Sequence, residues 1–339
     1  MSRFAARPPT QDAAGPGPLI PARDWRFWLL TAALLAVLAA LVAPRVAVTR
    51  PARDILLVVD VTGSMNVRDA RIDARPATRL AAARQGAREL LAALPCRSRV
   101  GLGIFTERRT FLLFEPAELC GNFAAIEGAI DSLDWRMAWE GDSYVARGVH
   151  SGLAIATDLD ADLVFMTDGH EAPPLAGGAL PPFDGEPGKV AGLLVGVGGA
   201  APAPIPKYDA DGRETGFYDE QDVPQENRLG PPPEDAPTRA GWNPRNAPWG
   251  GEPAGGTEHL SSMREEHLRA LAAQTGLGFA PLDPPAGFLA AVEADTRVRP
   301  VETRVETAAV PAALALACLS LLFGIGAFSG RRPERLPAR

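Results

Sequence analysis

At 339 residues the chain is long enough for one α/β domain with insertions and flanking tails. Hydrophobic residues make up 46% and charged residues 22%, which is the balance of a globular protein and excludes general disorder. The formal net charge of −7 argues against nucleic acid as the main partner, since phosphate binding needs clustered Lys and Arg; Lys189 and Lys207 are the only lysines.

In chain order, residues 1–26 are rich in Pro, Gly and Ala and read as a tail. Phe27 to Ala43 (FWLLTAALLAVLAALVA) is free of charge and reads as an uncleaved membrane anchor, because no A-x-A cleavage site stands out and Pro44 follows directly. The apolar run Ile55-Leu56-Leu57-Val58-Val59 predicts a strand over about Asp54–Asp60. It delivers Asp60-Val61-Thr62-Gly63-Ser64-Met65, a D-x-[S/T]-x-S turn whose carboxylate and hydroxyls suit Mg²⁺, Ca²⁺ or Mn²⁺ and suit zinc or copper poorly. Arg79 to Leu94 has apolar residues at helical spacing and is expected to pack on the sheet. Val100–Phe105 and Thr110–Phe114 flank the charged Glu107-Arg108-Arg109 and predict a hairpin, and Phe123–Leu133 predicts a helix. Trp135-Arg136-Met137-Ala138-Trp139-Glu140 follows; its large apolar side chains are either a contact rim for a partner or one helix face packed into the core. Gly141-Asp142-Ser143 then opens the helix-like Tyr144–Leu159 and offers another hydroxyl.

Further on, the strand Leu163-Val164-Phe165-Met166 ends at Thr167-Asp168-Gly169, a second carboxylate at a strand's carboxyl end. His170 and Glu171 are placed to extend that site, with a solvated loop as the plainer expectation for both. Strand Val190–Val197 and helix Glu265–Gln274 continue the alternation of a doubly wound, mostly parallel sheet with helices on both faces. Two insertions interrupt it, at 171–188 and 199–258; within the second, Pro204 to Tyr218 carries a turn signal between two strand-like pieces. There, Asp209-Ala210-Asp211-Gly212 is read as a hairpin turn, because the remaining ligands of a calcium loop are missing. Ala308 to Gly330 is a second membrane-span candidate, and 331–339 is a tail. Eight arginines lie outside the two apolar segments and six on their inner flanks, a modest bias that puts both ends in the cytoplasm and the domain in a bacterial periplasm.

Asp60, Thr62 and Ser64, with Ser143 and Asp168, resemble the three-part metal-ion-dependent adhesion site of the von Willebrand factor A family over roughly residues 52–296. Two swaps, Thr62 where Ser is usual and Ser143 where Thr is usual, keep the hydroxyl. The resemblance implies that these five residues hold a divalent cation, Mg²⁺ foremost, directly or through water, with one position left for a partner's carboxylate. Asp142, one residue from Ser143, would add a third negative charge and weaken partner binding, so it is expected to point away. If the family's topology holds, Cys96 and Cys120 fall at the opposite pole, where they either bridge or remain two buried thiols.

The I-P-x-x-D-x-x-G hairpin (Ile205–Gly212), the late L-x-x-L-A-x-x-T-G helix (Leu268–Gly276) and the flanking anchors are similar to the membrane-bound BatA/BatB group. Gly101–Glu107, Arg136–Trp139 and Thr167–Pro174 are similar to MxaL-type proteins of methanol oxidation gene clusters. The likeness implies assembly of methanol dehydrogenase, including calcium insertion; the BatA likeness implies instead an envelope-stress adaptor working with a MoxR-type ATPase, and with other proteins of its own family. Under either reading Trp135, Met137, Trp139 and His170 are candidates for partner contact. No G-x-S-x-G elbow, H-E-x-x-H or P-loop is present, so a binding module rather than an enzyme is expected.

Overall fold

The computed structural model describes residues 24–138, 141–175, 178–220, 222, 223, 234, 238 and 256–329, with side chains of the last helix described to residue 325. Two compact units result, one of residues 51–301 and one joining 1–50 with 302–339.

The larger unit is a six-stranded sheet in the order β13-β8-β7-β2-β5-β6. Its strands are β2 (Asp54–Asp60), β5 (Arg99–Thr106), β6 (Arg109–Glu118), β7 (Asp162–Thr167), β8 (Gly192–Gly196) and β13 (Gly278–Pro281). All neighbours are parallel except β5 and β6, which form the expected antiparallel hairpin at one edge. β2 is buried along its whole length, as an uninterrupted apolar run in a parallel sheet must be. Its alternate residues feed two cores. Ile55, Leu57 and Val59 pack beneath α2 (Arg79–Ala93), α3 (Leu119–Asp131) and α6 (Pro285–Asp295). Leu56 and Val58 pack beneath α4 (Val145–Asp158) and α5 (Glu265–Thr275). β2 pairs with β5 on one side and β7 on the other, so the strand order reverses there and a crevice opens beyond the carboxyl ends of β2 and β7.

Small two-stranded ribbons decorate this frame: β3 (Ala70–Ile72) with β4 (Arg75–Ala77), β9 (Ala203–Pro204) with β12 (Leu260–Ser261), and β10 (Pro206–Tyr208) with β11 (Glu214–Phe217). The last is the hairpin read from the sequence, closed by Gly212 N–H donating to Asp209 O at 2.9 Å. Sequence periodicity misses α6 and β13, which are short and closely spaced, the flanking strands at 45–52 and 299–306, and the short β3, β4, β9 and β12.

At the amino-terminal pole, Asp54 is held by Arg99 and Arg299, whose charges outweigh its burial and lower its pKa. Cys96 and Cys120 form a disulfide there, with Cα atoms 5.4 Å apart.

In the smaller unit, β1 (Arg45–Ala52) pairs with β14 (Arg299–Glu306), both strands running on into the larger unit. Helix α1 (Trp25–Leu41) packs beside α7 (Ala309–Ser329), with Ala33, Ala36 and Ala315 buried and leucines such as Leu34, Leu35, Leu314 and Leu316 exposed. Among the described residues no helix is long and apolar enough to cross a membrane. Both apolar segments form helices: α1, of 17 residues, starts two residues before the expected span, and α7, of 21 residues, lies within 308–330; the tails, 1–23 and 330–339, lie outside the described residues.

Cutting the Cys96–Cys120 bridge, which closes a separation of 24 residues, is expected to cost about 3.5 kcal/mol of stability by loop entropy. Denaturant melts of wild type and Cys120→Ser, with non-reducing peptide mapping, measure this.

Candidate functional site

Each of the five oxygen-bearing residues lies at the carboxyl-terminal pole, and each is buried: Asp60 and Asp168 are 0% exposed, Thr62, Ser64 and Ser143 3–4%. Asp60 ends β2, and its carboxylate organises the following turn. Thr62 donates to Asp60 Oδ1 from both N–H (2.9 Å) and Oγ1 (2.7 Å), while Thr167 Oγ1 donates to Oδ2 at 2.6 Å. Ser64 sits in the single 3-10 turn Gly63–Asn66, its Oγ 3.4 Å from Thr62 Oγ1. Ser143 is fixed by its backbone: its N–H donates to Ala172 O at 2.6 Å and its carbonyl accepts from Ala172 N–H at 2.7 Å. The next residue, Tyr144, donates to Glu107 O at 2.6 Å, so three loops are stitched together around the hydroxyl. Exposed Gly63 and Gly141 mark where this buried cluster meets solvent.

Asp168 follows β7 and accepts from His170 N–H at 2.9 Å on Oδ1. Its Oδ2 accepts from Arg79 Nη1 at 2.6 Å and Ser261 Oγ at 3.2 Å. Gly169 turns the chain at φ +75°, where a Cβ would meet Leu268 Cγ at 2.9 Å; only glycine passes there without strain.

Burial, reinforced by the neighbouring Asp168 charge, pushes Asp60 up to about 7. Burial also works against the charge of Asp168, yet the Arg79 guanidinium beside it holds this carboxyl below the ordinary range. His170 is forced down to about 4 by burial.

One sequence expectation is corrected here. His170 and Glu171 are not a solvated loop: His170 is buried, and the Glu171 side chain is 7% exposed. Glu171 Oε1 accepts from Ala146 N–H at 2.8 Å in the first turn of α4 and stands 3.1 Å from His267 Nε2, so the residue caps a helix, where its charge complements the dipole. Asp142 is buried and pairs with Arg108 at 3.1 Å, which answers its charge. Trp135 and Met137 are half-buried and pack against the core cluster; Trp135 stacks on Tyr208 with ring centroids 4.5 Å apart. Trp139 lies outside the described residues. The β10–β11 hairpin lies beside the Gly63–Asn66 turn, tied down by that stack and by an Arg68–Glu214 ion pair.

The residue that sequence reading passed over is Arg79. It opens an amphipathic helix and looks like a solvent-facing charge, yet it is the largest fully buried side chain of the fold. The available signal was a cation in a helix's first turn, where the dipole disfavours it.

The donor set is oxygen only, and among the described residues no group of three or more His, Cys, Asp or Glu side chains stands ready for a metal. Any ion here would depend on the hydroxyls and not on carboxylate oxygens alone. Ser143 Oγ is buried with no hydrogen-bond partner among the described residues, an oxygen left to be satisfied by a ligand. The set therefore fits a small hard divalent cation.

Residues 55–170 match the von Willebrand factor type A domain. Together with the doubly wound sheet, that match supports a von Willebrand factor A domain in this chain, and the comparisons indicate no enzymatic family. Among solved structures, an aerotolerance-related membrane protein from Bacteroides fragilis is similar at 13% identity and TM-score 0.44, covering 72% of this chain and 98% of its own. A membrane-spanning protein from Vibrio fischeri is similar at 17% identity and TM-score 0.27, covering 71% and 98%. The PilB minor pilin of Streptococcus sanguinis is similar at 16% identity and TM-score 0.30, covering 37% and 32%. Likenesses at this level carry no functional argument. No match is found among curated proteins.

The opposed shifts of Asp60 and His170 give a pH test. Folded Asp60 keeps its proton up to about pH 7 but loses it near 3.8 when unfolded, so its contribution to stability falls as pH rises through that window. His170 binds a proton below 6.5 when unfolded and only below about 4 when folded, so its contribution rises from about 4 to 6.5. The two cancel in wild type. In chelator, Asp60→Asn is expected to expose the histidine slope, gaining about 1.4 kcal/mol per pH unit between about 4 and 6.5, read by denaturant melts across pH.

Proposed function

We propose that this chain is a membrane-anchored binding module that grips an acidic side chain of a protein client through a divalent cation, Mg²⁺ foremost, with Ca²⁺ or Mn²⁺ as substitutes. The observation that carries the reading is the convergence of Asp60, Thr62, Ser64, Ser143 and Asp168 at one pole, with Ser143 Oγ buried and unpartnered among the described residues. Asp60, Ser64 and Ser143 would hold the ion, with Thr62 and Asp168 behind them. When bound, the ion supplies a strong attraction for an arriving carboxylate, its best available anionic ligand. Thr62 and Thr167 hold the Asp60 carboxylate in place, and the Ala172 backbone holds Ser143.

The anchor reading rests on the α1–α7 pair. Small residues lie between the helices, and large aliphatic side chains cover the outside, an arrangement that suits lipid better than water. The domain is placed in the periplasm of a bacterial inner membrane by the arginine bias alone. Alkaline phosphatase fused after Arg339 is expected to stay inactive; activity would overturn this orientation.

For the client we propose methanol dehydrogenase, with this chain acting in its assembly and calcium loading. The support is the likeness of Gly101–Glu107, Arg136–Trp139 and Thr167–Pro174 to MxaL-type proteins. Affinity capture of the tagged full chain from detergent-solubilised membranes tests both parts. The dehydrogenase is expected to co-purify with Mg²⁺ present, and to be lost on chelation and in Asp60→Ala. Retention in chelator would remove the carboxylate bridge; recovery of a MoxR-type ATPase instead of the dehydrogenase would favour an envelope-stress adaptor.

A further inference from the structure

We infer that Arg79 is the resident counter-cation of the carboxyl-terminal pole: it answers the charge of Asp168, so that Asp60 alone is the carboxylate left to a bound divalent ion. The second half rests on the ion-binding reading above; the first stands on the contacts alone.

The guanidinium is 0% exposed, and its nitrogens are all engaged. Nη1 donates to Asp168 Oδ2 and Ser261 Oγ, both at 2.6 Å, with Ser64 O at 3.4 Å. Nη2 donates to Asp69 Oδ2 at 2.6 Å and Ser261 O at 3.0 Å, and Nε to Asp69 Oδ1 at 2.9 Å. The five N–H groups of the planar fork serve the five contacts of 3.0 Å or less, with Ser64 O sharing an Nη1 hydrogen at 3.4 Å; a lysine ammonium has three donors only. Gly198 gives the fork its room, since a Cβ there would lie 2.4 Å from Arg79 Nε.

Two features separate this from an ordinary packed arginine. Arg79 is the first residue of α2, where the helix dipole opposes a cation, so local structure gives no reason for a buried positive charge there. Its partners come from four separate pieces of chain: Ser64 in the hydroxyl turn, Asp69 beyond it, Asp168 after β7, and Ser261 on β12. Asp69 is 16% exposed and reaches solvent, whereas Asp168 is wholly enclosed and has no other full positive charge bonded to it among the described residues.

Charge counting gives the functional consequence. If both site carboxylates faced a divalent ion uncompensated, they would cancel its charge and weaken its hold on a third carboxylate. Arg79 is shared between Asp168 and Asp69, but Asp69 reaches water while Asp168 does not, so the enclosed charges alone (ion, Asp60, Asp168 and Arg79) leave one positive charge for an acidic client. The same pairing lets the pole assemble before any ion arrives.

The test uses the full chain in detergent, comparing wild type, Arg79→Met, Asp168→Asn and the double variant, first in chelator and then in millimolar Mn²⁺. In chelator, Arg79→Met is expected to lower Tm by about 10 °C, because it strands a buried charge, and adding Asp168→Asn is expected to restore at least half of that loss. In Mn²⁺, Arg79→Met is expected to gain more Tm than wild type does, since the ion takes over the charge of Asp168. Simple additivity of the two substitutions in chelator would overturn the counter-cation role. If Arg79→Met does not fold, the same cycle is run with Arg79→Gln, which removes the charge and keeps hydrogen-bond donors. Manganese binding, followed by electron paramagnetic resonance, separates the two failures. A wild type that binds no Mn²⁺ removes the ion reading and leaves the chelator cycle to decide Arg79. A wild type that binds Mn²⁺ while Arg79→Met gains no extra stability from it overturns the charge substitution.

Discussion

Two carboxylates, Asp60 and Asp168, are buried at the ends of neighbouring parallel strands, and the rest of this pole exists to make that arrangement tolerable. An unpaired ionised carboxylate in a protein interior is among the most unfavourable groups a fold can hold. The two are treated differently. Asp60 is surrounded by neutral donors, Thr62 and Thr167, and is driven toward its protonated form. Asp168 keeps its charge because Arg79 stands against it. One carboxylate is therefore driven toward its neutral form, while the other keeps its charge against a buried guanidinium.

The two ends of the sheet handle charge in contrasting ways. At the amino-terminal pole, Asp54 meets Arg99 and Arg299, both substantially exposed, in an arrangement that ties β5 and β14 to β2. At the carboxyl-terminal pole, Ser143 Oγ, Asp142 Oδ1 and His170 Nδ1 are buried without hydrogen-bond partners among the described residues. Folded proteins seldom leave such groups unsatisfied except where something else is to bind. The topology explains why they gather there: the order of strands reverses at β2, and the loops beyond β2 and β7 leave the sheet at the same end.

The insertion following β8 is part of that environment. Its hairpin sits beside the Gly63–Asn66 turn, with Tyr208 stacked on Trp135 and Glu214 paired with Arg68. Trp135, one of the apolar side chains that mark the segment before Gly141, is thereby engaged within the domain on at least one ring face.

Much of this was legible in the chain itself. Continuous apolar runs such as Ile55–Val59 and Leu163–Met166 can be satisfied only by burial on both faces, which determines a parallel sheet with helices above and below. Placing Asp60 and Asp168 just beyond those runs commits both to the same end. The hairpin around Asp209–Gly212 follows from turn chemistry that acts over four residues. What local pattern does not carry is anything that depends on residues far apart in sequence meeting. The burial of His170, the capping of α4 by Glu171, and the Cys96–Cys120 bridge among the open alternatives were all decided by packing. Arg79 is the clearest case: on its helix it reads as a surface charge, and only the arrival of Asp69, Asp168 and Ser261 from three other segments turns it into the buried ion on which the pole is balanced. Periodicity reports which face of an element avoids water; it contains no record of which charges will be enclosed together.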